Sequence, residues 1–282
     1  MNMKRGTARI RGLAAELKDL RAESGLNTRD AAKRVGMSAA TLNRMELGNR
    51  VIGPEETSAL LAIYGVTGKE RERVLAMSRE TALPDWWVAS RATTPKHLRN
   101  LIRFEAEATR IIDVSMLRIP GLMQTADYTR ALMAAAQVPS QIAERRISNR
   151  LERQRVLTRL QPPYCLTIID EAALSRPVGG PRVMAEQLRH IMDLSRLRNV
   201  EVRVIPFERG AHTGLDGSYI TLEFAKARPL IFLEHKRATG YIDDPGDVVP
   251  YRQATDTLME AALDSPESVD FLARKAAAYD KG

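Results

Sequence analysis

The chain has 282 residues, 44% of them hydrophobic, with a net charge of +8 and a pI near 9.8. This length leaves room for two domains with buried cores. The single cysteine, Cys165, excludes an internal disulfide, and no apolar run approaches the roughly 20 residues that span a bilayer. Because no secretory signal is evident at the N-terminus either, we expect a cytoplasmic protein without a membrane partner.

Residues 26–48 carry the pattern of two short helices joined by a tight turn. Asn27 is placed to cap a helix over 28–35, and Gly36 is placed to end it in a left-handed conformation. Ser38 is placed to cap a second helix, which Gly48 ends. The inward side of that second helix is predicted to comprise Leu42, Met45 and Leu47. The sequence therefore predicts a helix-turn-helix, a geometry found in DNA-binding domains and also in other all-α domains.

Helical patterns flank this pair on both sides. Leu13, Leu17 and Leu20 recur at helical spacing before it, and helices are predicted over 54–64 and 69–78 after it. Five short helices make a compact all-α domain, which we place at residues 12–80.

The positive charge is concentrated in the same region. Residues 1–50 contain eleven Lys/Arg and five Asp/Glu, a net charge of +6. The coincidence of this charge with the helix pair favours a phosphate backbone as its partner over a merely solvated surface. Residues 1–11, charged and without periodicity, are predicted to be a mobile basic arm.

Three segments in this region carry a family resemblance: ELKDLRAESGL, AAKRVGMS and TLNRMELG. They resemble the Cro/C1-type helix-turn-helix domain, also called the xenobiotic-response-element type. The resemblance implies a homodimer that binds double-stranded DNA through the front of the first motif helix and along the second. The residues at those positions are Thr28, Arg29, Ser38, Ala39, Ala40, Thr41, Asn43 and Arg44. The chain departs from the family pattern at Thr28, where Gln is usual, and at Thr41, where Lys or Arg is frequent.

A linker is predicted over 81–95, where prolines and two adjacent tryptophans interrupt the helical pattern. Trp86 and Trp87 favour packing of the linker against a neighbouring domain, and a patch for a partner is the alternative.

Residues 96–282 are predicted to form an α+β regulatory or partner-binding domain with a small mixed sheet and flanking helices. Helices are expected over 96–116, 125–136, 141–160, 181–197, 250–263 and 266–279, and strands over 164–169, 200–205, 218–224 and 230–233. The order strand, helix, strand indicates a parallel pair with a right-handed crossover. The last two strands are expected as an antiparallel addition.

The predicted helix over 141–160 is rich in arginine. Its apolar seam is predicted to be Ile142, Ile147, Leu151 and Val156. The arginines are consistent either with a solvated face or with a surface for a phosphate backbone or an acidic protein. The residues predicted to bind such a partner are Arg145, Arg146, Arg150 and Arg153.

Five segments of this part carry a second resemblance: RFEAEATRI, IPGLMQTADYTRALM, RQRVLTR, IIDEAALSRPVGGPRVMAEQLRHI and VRVIPFERGAHTGLDGSYITLEF. They resemble the C-terminal domain of an actinobacterial antitoxin-like regulator family. In that family a Cro/C1-type module is joined to a domain of undefined function. The resemblance implies a small acidic protein, encoded nearby, as a candidate partner.

One polar constellation is a candidate for chemistry: Asp170, Glu171, His212, Asp216, Glu234 and His235. Its members are predicted at strand ends and in the loop 207–217, where sites are frequent. The sequence has no HExxH, CxxC, phosphate-binding GxxxxGK[ST] or GxSxG pattern. We therefore expect no enzyme, no catalytic residue, no cofactor and no metal. The loops IPGLMQT, DEAALSRPVGG and GAHTGLDG are consistent either with a pocket for a small-molecule effector or with simple tight turns.

The sequence thus favours a sequence-specific DNA-binding transcriptional regulator, a repressor or antitoxin-like switch, with an effector-binding or partner-binding second domain. Two alternatives stay open. One is an interaction protein whose main role is to hold a small acidic partner, and the other is an enzyme with a DNA-binding appendage.

Overall fold

The computed structural model describes residues 7–80, 95–235 and 239–281. Contacts divide them into two compact units, one of residues 7–80 with 240–247, and one of residues 95–235 with 239 and 248–281. The first six residues of the predicted arm and the predicted linker, apart from Pro95, lie outside the described residues. Within the described ranges, no helix is long and apolar enough to cross a membrane.

Residues 7–80 of the first unit form five helices. They are α1 (Ala8–Glu23), α2 (Thr28–Arg34), α3 (Ala39–Glu46), α4 (Pro54–Ile63) and α5 (Gly68–Glu80). Each contributes apolar residues to a single core, in which Leu13, Ala31, Leu42, Leu60 and Val74 are fully buried. The stripes predicted at helical spacing thus face one another, and their burial is what stabilises helices this short.

A six-stranded mixed sheet organises the second half of the chain. Its strands are β1 (Arg110–Ser115), β2 (Tyr164–Asp170), β3 (Val200–Ile205), β4 (Tyr219–Glu223), β5 (Leu230–Glu234) and β6 (Thr239–Ile242). The spatial order is β3-β2-β1-β4-β5-β6. Strands β1, β2 and β3 are parallel, whereas β4 runs antiparallel to β1 and β5 antiparallel to β4. The predicted parallel pair and the antiparallel addition are both confirmed, and β6 was not predicted.

Seven further helices follow residue 94 in the described sequence. They are α6 (Pro95–Glu107), α7 (Ala126–Ala135), α8 (Ser140–Arg153), α9 (Glu171–Ser175), α10 (Pro181–Leu194), α11 (Pro245–Ala261) and α12 (Ser265–Asp280). Helices α10 and α12 pack together, and α12 also contacts β3. Helix α11 begins at Pro245 and not at Pro250, where the sequence predicted its start. Proline is favoured in the first turn of a helix. The predicted fold class, an all-α helix-turn-helix domain followed by an α+β domain with a mixed sheet, is confirmed.

The predicted helix over 96–116 is wrong in its second half. Helix α6 ends at Glu107, and β1 follows with a partner strand on each side. Ile111, Ile112 and Val114 are buried and β-branched, so they suit a strand covered on both faces. An apolar run this short does not distinguish a buried strand from a buried helix by its periodicity.

The predicted helix over 141–160 ends early. Helix α8 stops at Arg153 and continues as a single 3-10 turn, Gln154–Leu157. Of the predicted seam, Ile147 and Val156 are buried, whereas Ile142 and Leu151 are exposed. Arg153 is buried, whereas Leu151 is not. The buried face of α8 is therefore rotated about the helix axis relative to the face that the spacing of the apolar residues predicted.

Candidate nucleic-acid interface

A short turn joins α2 to α3, and helix caps, a glycine and a backbone hydrogen bond determine its conformation. The side chains of Asn27 and Ser38 cap the two helices by accepting backbone N–H groups at 2.9 and 3.0 Å. Gly36 has a φ of +70°, a conformation that a side chain disfavours. The N–H of Met37 then donates to the carbonyl of Ala32 at 2.9 Å and closes the end of α2. The predicted caps and glycine turn are confirmed.

One face of α3 is exposed while the opposite face is buried. Leu42 and Met45 have no exposed surface, whereas Ala40, Asn43 and Arg44 are exposed. The exposed positions are spaced by three and four residues and therefore form one stripe along the helix. Within the described residues, neither Asn43 nor Arg44 uses its side chain in a hydrogen bond. Their donors and acceptors are therefore available to another molecule.

A buried ion pair positions α3. Glu46 is 4% exposed, and the guanidinium of Arg21 on α1 donates to its two carboxylate oxygens at 2.6 and 3.0 Å. A further N–H of Arg21 donates to the carbonyl of Leu26, just before α2, at 2.7 Å. The hydrogen bond to Glu46 raises the pKa of Arg21. Charge-assisted, bidentate contacts of this kind are strong and directional, so α1, the start of the motif and α3 are held in one arrangement.

The sequence-based prediction missed this anchor, although a signal was present. Glu46 follows Met45 on the inward side of α3, where an acid needs a partner to be buried. What the sequence does not reveal is that the partner is Arg21, on a different helix.

The structure places the predicted DNA-binding residues at the surface of the motif to different degrees. Exposed are Arg29, Ser38, Ala40, Asn43 and Arg44, and half-buried are Thr28, Ala39 and Thr41. The hydroxyl of Thr41 lies 2.9 Å from that of Ser38 and is partly engaged there.

The prediction that Leu47 faces inward is wrong, since it is 56% exposed. Leu47 lies one residue beyond the end of α3, where helical periodicity no longer decides which way a side chain points. Val51 nearby in sequence is 57% exposed, so two apolar side chains follow the exposed stripe of α3.

The arginines predicted to bind a partner are placed in different environments. Arg145 and Arg146 are exposed on α8. Arg153 is buried and donates to both carboxylate oxygens of Glu105 at 2.6 and 2.7 Å. Arg150 is half-buried and donates to the amide oxygen of Gln124 at 2.5 Å. Arg153 therefore belongs to the core of the second unit and not to its surface.

Asp170 and His212 of the polar constellation form a closed pair. Nε2 of His212 lies 3.1 Å from Oδ2 of Asp170, and Nδ1 accepts the N–H of Gly214 at 3.2 Å. Because Nδ1 is an acceptor, Nε2 carries the hydrogen and donates it to Asp170. The side chain of His212 is 4% exposed. Both ring nitrogens are thus used to order the loop that follows β3.

Of the remaining members of the constellation, Glu171 and Glu234 have other partners, whereas Asp216 and His235 are exposed. Glu171 pairs with Lys275 at 2.7 Å, and Glu234 pairs with Arg118. Burial raises the pKa of the Cys165 thiol to about 12, so the thiol stays protonated at neutral pH. Within the part of the chain that the structure describes, no group of three His, Cys, Asp or Glu side chains is arranged to hold a metal ion.

Comparison with known families agrees with this geometry. A model described as a helix-turn-helix domain matches residues 13–74, which include α2 and α3. The match defines a helix-turn-helix protein, and such a domain indicates a DNA-binding regulator. A second model, "Domain of unknown function (DUF5753)", matches residues 98–274. Since this is more than half of the chain, the protein belongs to the DUF5753 family. No curated protein and no solved structure matches the chain significantly.

Proposed function

We propose that the protein is a sequence-specific transcriptional regulator that reads DNA with α3 in the major groove. The observation that carries this proposal is the exposed, unengaged stripe of Ala40, Asn43 and Arg44 on a helix that Arg21 and Glu46 hold in place. An amide and a guanidinium are the groups that pair with the edges of adenine and guanine. The positive charge of residues 1–50 adds affinity that does not depend on base sequence.

The finer identity is also part of the proposal. We assign the motif to the Cro/C1 type and the chain to the antitoxin-like regulators, acting as a repressor or switch on an operator with two-fold symmetry. The quoted sequence segments support this assignment. Two half-sites one helical turn apart need two copies of α3, so a homodimer is the expected form.

We propose a regulatory role for the second unit and not a catalytic one. Asp170, His212 and Glu171 are engaged with partners inside the fold, which leaves little capacity for proton transfer to a substrate. The exposed charges of Arg145 and Arg146 suit an acidic protein encoded nearby. That observation also supports the second candidate function, an interaction protein for which DNA binding is incidental.

The test begins with selection of a preferred site from random duplex DNA by the full-length protein. The double variant Asn43→Ala/Arg44→Ala is then compared with the native chain on the selected site and on an unrelated duplex. Each good bidentate base contact contributes about 1–3 kcal/mol of discrimination, so we expect at least a tenfold loss of preference for the selected site.

Arg79→Ala is the matched control, because it removes one exposed charge from α5 and leaves α3 intact. Circular dichroism checks that all variants are folded. Unchanged preference in the folded double variant would show that another element reads the DNA. Genome-wide occupancy with and without the neighbouring gene separates a regulator from the interaction protein, for which a flat profile is expected.

A further inference from the structure

Arg150 is a half-buried arginine on α8 without an acidic partner. It donates to the amide oxygen of Gln124 at 2.5 Å, and within the described ranges no carboxylate forms an ion pair with it. The neighbouring Arg153 and Arg118 are paired with acids, namely Glu105 and Glu234. A charge that is partly withdrawn from water and unpaired is unfavourable until an anion neutralises it.

The surroundings of Arg150 are positive. Burial, followed by the charges of Arg153, Arg118 and Arg146, lowers the pKa of Arg150 to about 10. Arg118 and Arg150 also both lower the pKa of Tyr128, although burial raises it overall. Gln124 links the two segments directly, because it donates to the carbonyl of Ile119, the residue after Arg118, and accepts from the guanidinium of Arg150. The loop after β1 and helix α8 therefore bring their guanidinium groups to one place. The side chain of Arg118 is 55% exposed and Arg146 is exposed, so this place is open to water.

Gln124 holds the guanidinium of Arg150 in one orientation before any ligand binds. It is 1% exposed, and its Nε2 donates to the carbonyl of Ile119 at 2.6 Å. Its Oε1 accepts the hydroxyl of Thr129 at 3.1 Å as well as the guanidinium of Arg150. Both ends of the amide are fixed, so the guanidinium loses little freedom when a ligand binds.

Glu234 already brings a carboxylate to this cluster. It pairs with Arg118 while half of its side chain stays exposed, and its negative charge raises the pKa of Arg150. An ion pair between exposed side chains contributes little free energy. Among the residues that the structure describes, Glu234 is paired with Arg118 alone, so an anion that contacts both Arg118 and Arg150 makes one more ion pair than Glu234 does.

We propose that Arg118, Arg146 and Arg150 form a binding site for the carboxylate or phosphate group of a small anionic molecule, which displaces Glu234 from Arg118. Guanidinium groups bind both kinds of oxyanion through paired N–H donors. The site gives the second unit a small-molecule ligand of defined chemistry, a carboxylate or a phosphate. Its use in regulation rests on the proposed function, whereas the binding itself does not.

The test is isothermal titration of the full-length protein, without DNA, with inorganic phosphate and separately with succinate. The two titrations distinguish a phosphate ligand from a carboxylate ligand. We expect saturable binding of at least one anion at one site per chain. Arg150→Gln keeps a polar group beside Gln124 and should weaken binding about tenfold, which corresponds to roughly 1.4 kcal/mol. Arg146→Gln, at an exposed position, should weaken it several-fold.

Two further variants make the test specific. Glu234→Gln removes the competing carboxylate and should tighten binding several-fold. Arg155→Gln removes the same charge from the exposed 3-10 turn that follows α8 and should leave binding unchanged. Absence of saturable binding of either anion to the folded protein overturns the proposal, as does an equal loss in Arg155→Gln and Arg150→Gln. If Glu234→Gln does not bind the anion more tightly than the native chain, the proposed displacement of Glu234 from Arg118 is wrong. Because no DNA is present, these outcomes are separable from a failure of DNA binding.

Discussion

Asp113 is a buried acid whose ionisation the fold opposes. It is 4% exposed on β1 and accepts the hydroxyl of Ser115 at 2.7 Å. Burial raises its pKa above the ordinary value, against the opposite effects of Ser115, Arg153 and Arg118. The unfolded chain releases this proton near pH 3.9. Above that pH the folded state holds more protons than the unfolded state, so the free energy of unfolding falls as the pH rises through the folded pKa.

The substitution Asp113→Asn should remove this loss of stability. The amide keeps an acceptor for Ser115 and has no charge to desolvate. We expect the variant to be more stable than the native chain at neutral pH, by roughly 1.4 kcal/mol for each pH unit that separates the folded from the unfolded pKa. At about pH 4 the difference should disappear. Urea denaturation at both pH values is the measurement, with the exposed Asp127→Asn as control. Lower stability at neutral pH would mean that Asp113 is ionised and paired.

Glu105 and Arg153 depend on each other because both are buried. Removal of one partner leaves the other charge unpaired in the core, which destabilises a protein by about 3–5 kcal/mol. We therefore expect Glu105→Leu and Arg153→Met each to cause a loss of this size, and the double variant to recover most of it. A double-mutant cycle by urea denaturation measures the coupling. The exposed pair Arg103–Glu107, 3.1 Å apart on α6, is the control. Additive losses in the cycle would contradict this account.

At the scale of the element, Ser38 has two roles that substitution separates. As the cap of α3 it accepts the N–H of Thr41 at 3.0 Å, and its loss in Ser38→Ala should destabilise the protein by about 1 kcal/mol. Ser38→Asp keeps a capping oxygen but adds a negative charge at the start of α3, the helix proposed to enter the major groove, where the DNA phosphates repel it. We expect native stability with weakened DNA binding, measured by thermal denaturation and fluorescence anisotropy. Asn27→Ala, the equivalent change at α2, serves as the stability reference. Full DNA affinity in Ser38→Asp would place this end of α3 away from the DNA.

Elements with local signals could be predicted from the sequence, whereas those decided by distant partners could not. Capping residues and a glycine define α2 and α3, and alternating valines define β3. Strand β1 has only a short apolar run, and its identity is decided by pairing with β2 and β4. The role of Arg153 could not be predicted for the same reason, because its partner Glu105 lies 48 residues away in the sequence.

For the whole molecule, the candidate DNA interface was predictable because its chemistry lies within one short segment. The exposed positions of α3 follow from helical spacing and from the two apolar residues it buries. The anion site is built from the loop after β1, helix α8 and the end of β5, and the sequence offers only a surplus of arginine in one of them. Which arginines are paired inside the fold, as Arg153 is, and which lack an acid, as Arg150 does, is decided by tertiary packing.

The distribution of charge along the chain predicts how salt affects DNA binding. Each phosphate that a basic side chain neutralises makes the slope of log K against log salt concentration steeper by about 0.9. Arg29, exposed on α2, is expected to contact phosphate. Arg29→Gln should therefore flatten the slope by about this amount and weaken binding equally on the selected and the unrelated duplex. Asn43→Ala should leave the slope unchanged and weaken binding to the selected site alone, because an uncharged amide releases no counterion.

Fluorescence anisotropy over a series of salt concentrations measures both quantities on the same protein preparations. Arg79→Gln is the control for loss of charge away from the motif. If it flattens the slope as much as Arg29→Gln, the basic charge acts as a diffuse field over the whole molecule and not as contacts at the front of α2. If Asn43→Ala weakens binding to both duplexes equally, Asn43 contributes to the backbone contacts, and base reading then falls to Arg44 and Ala40 on the exposed stripe of α3.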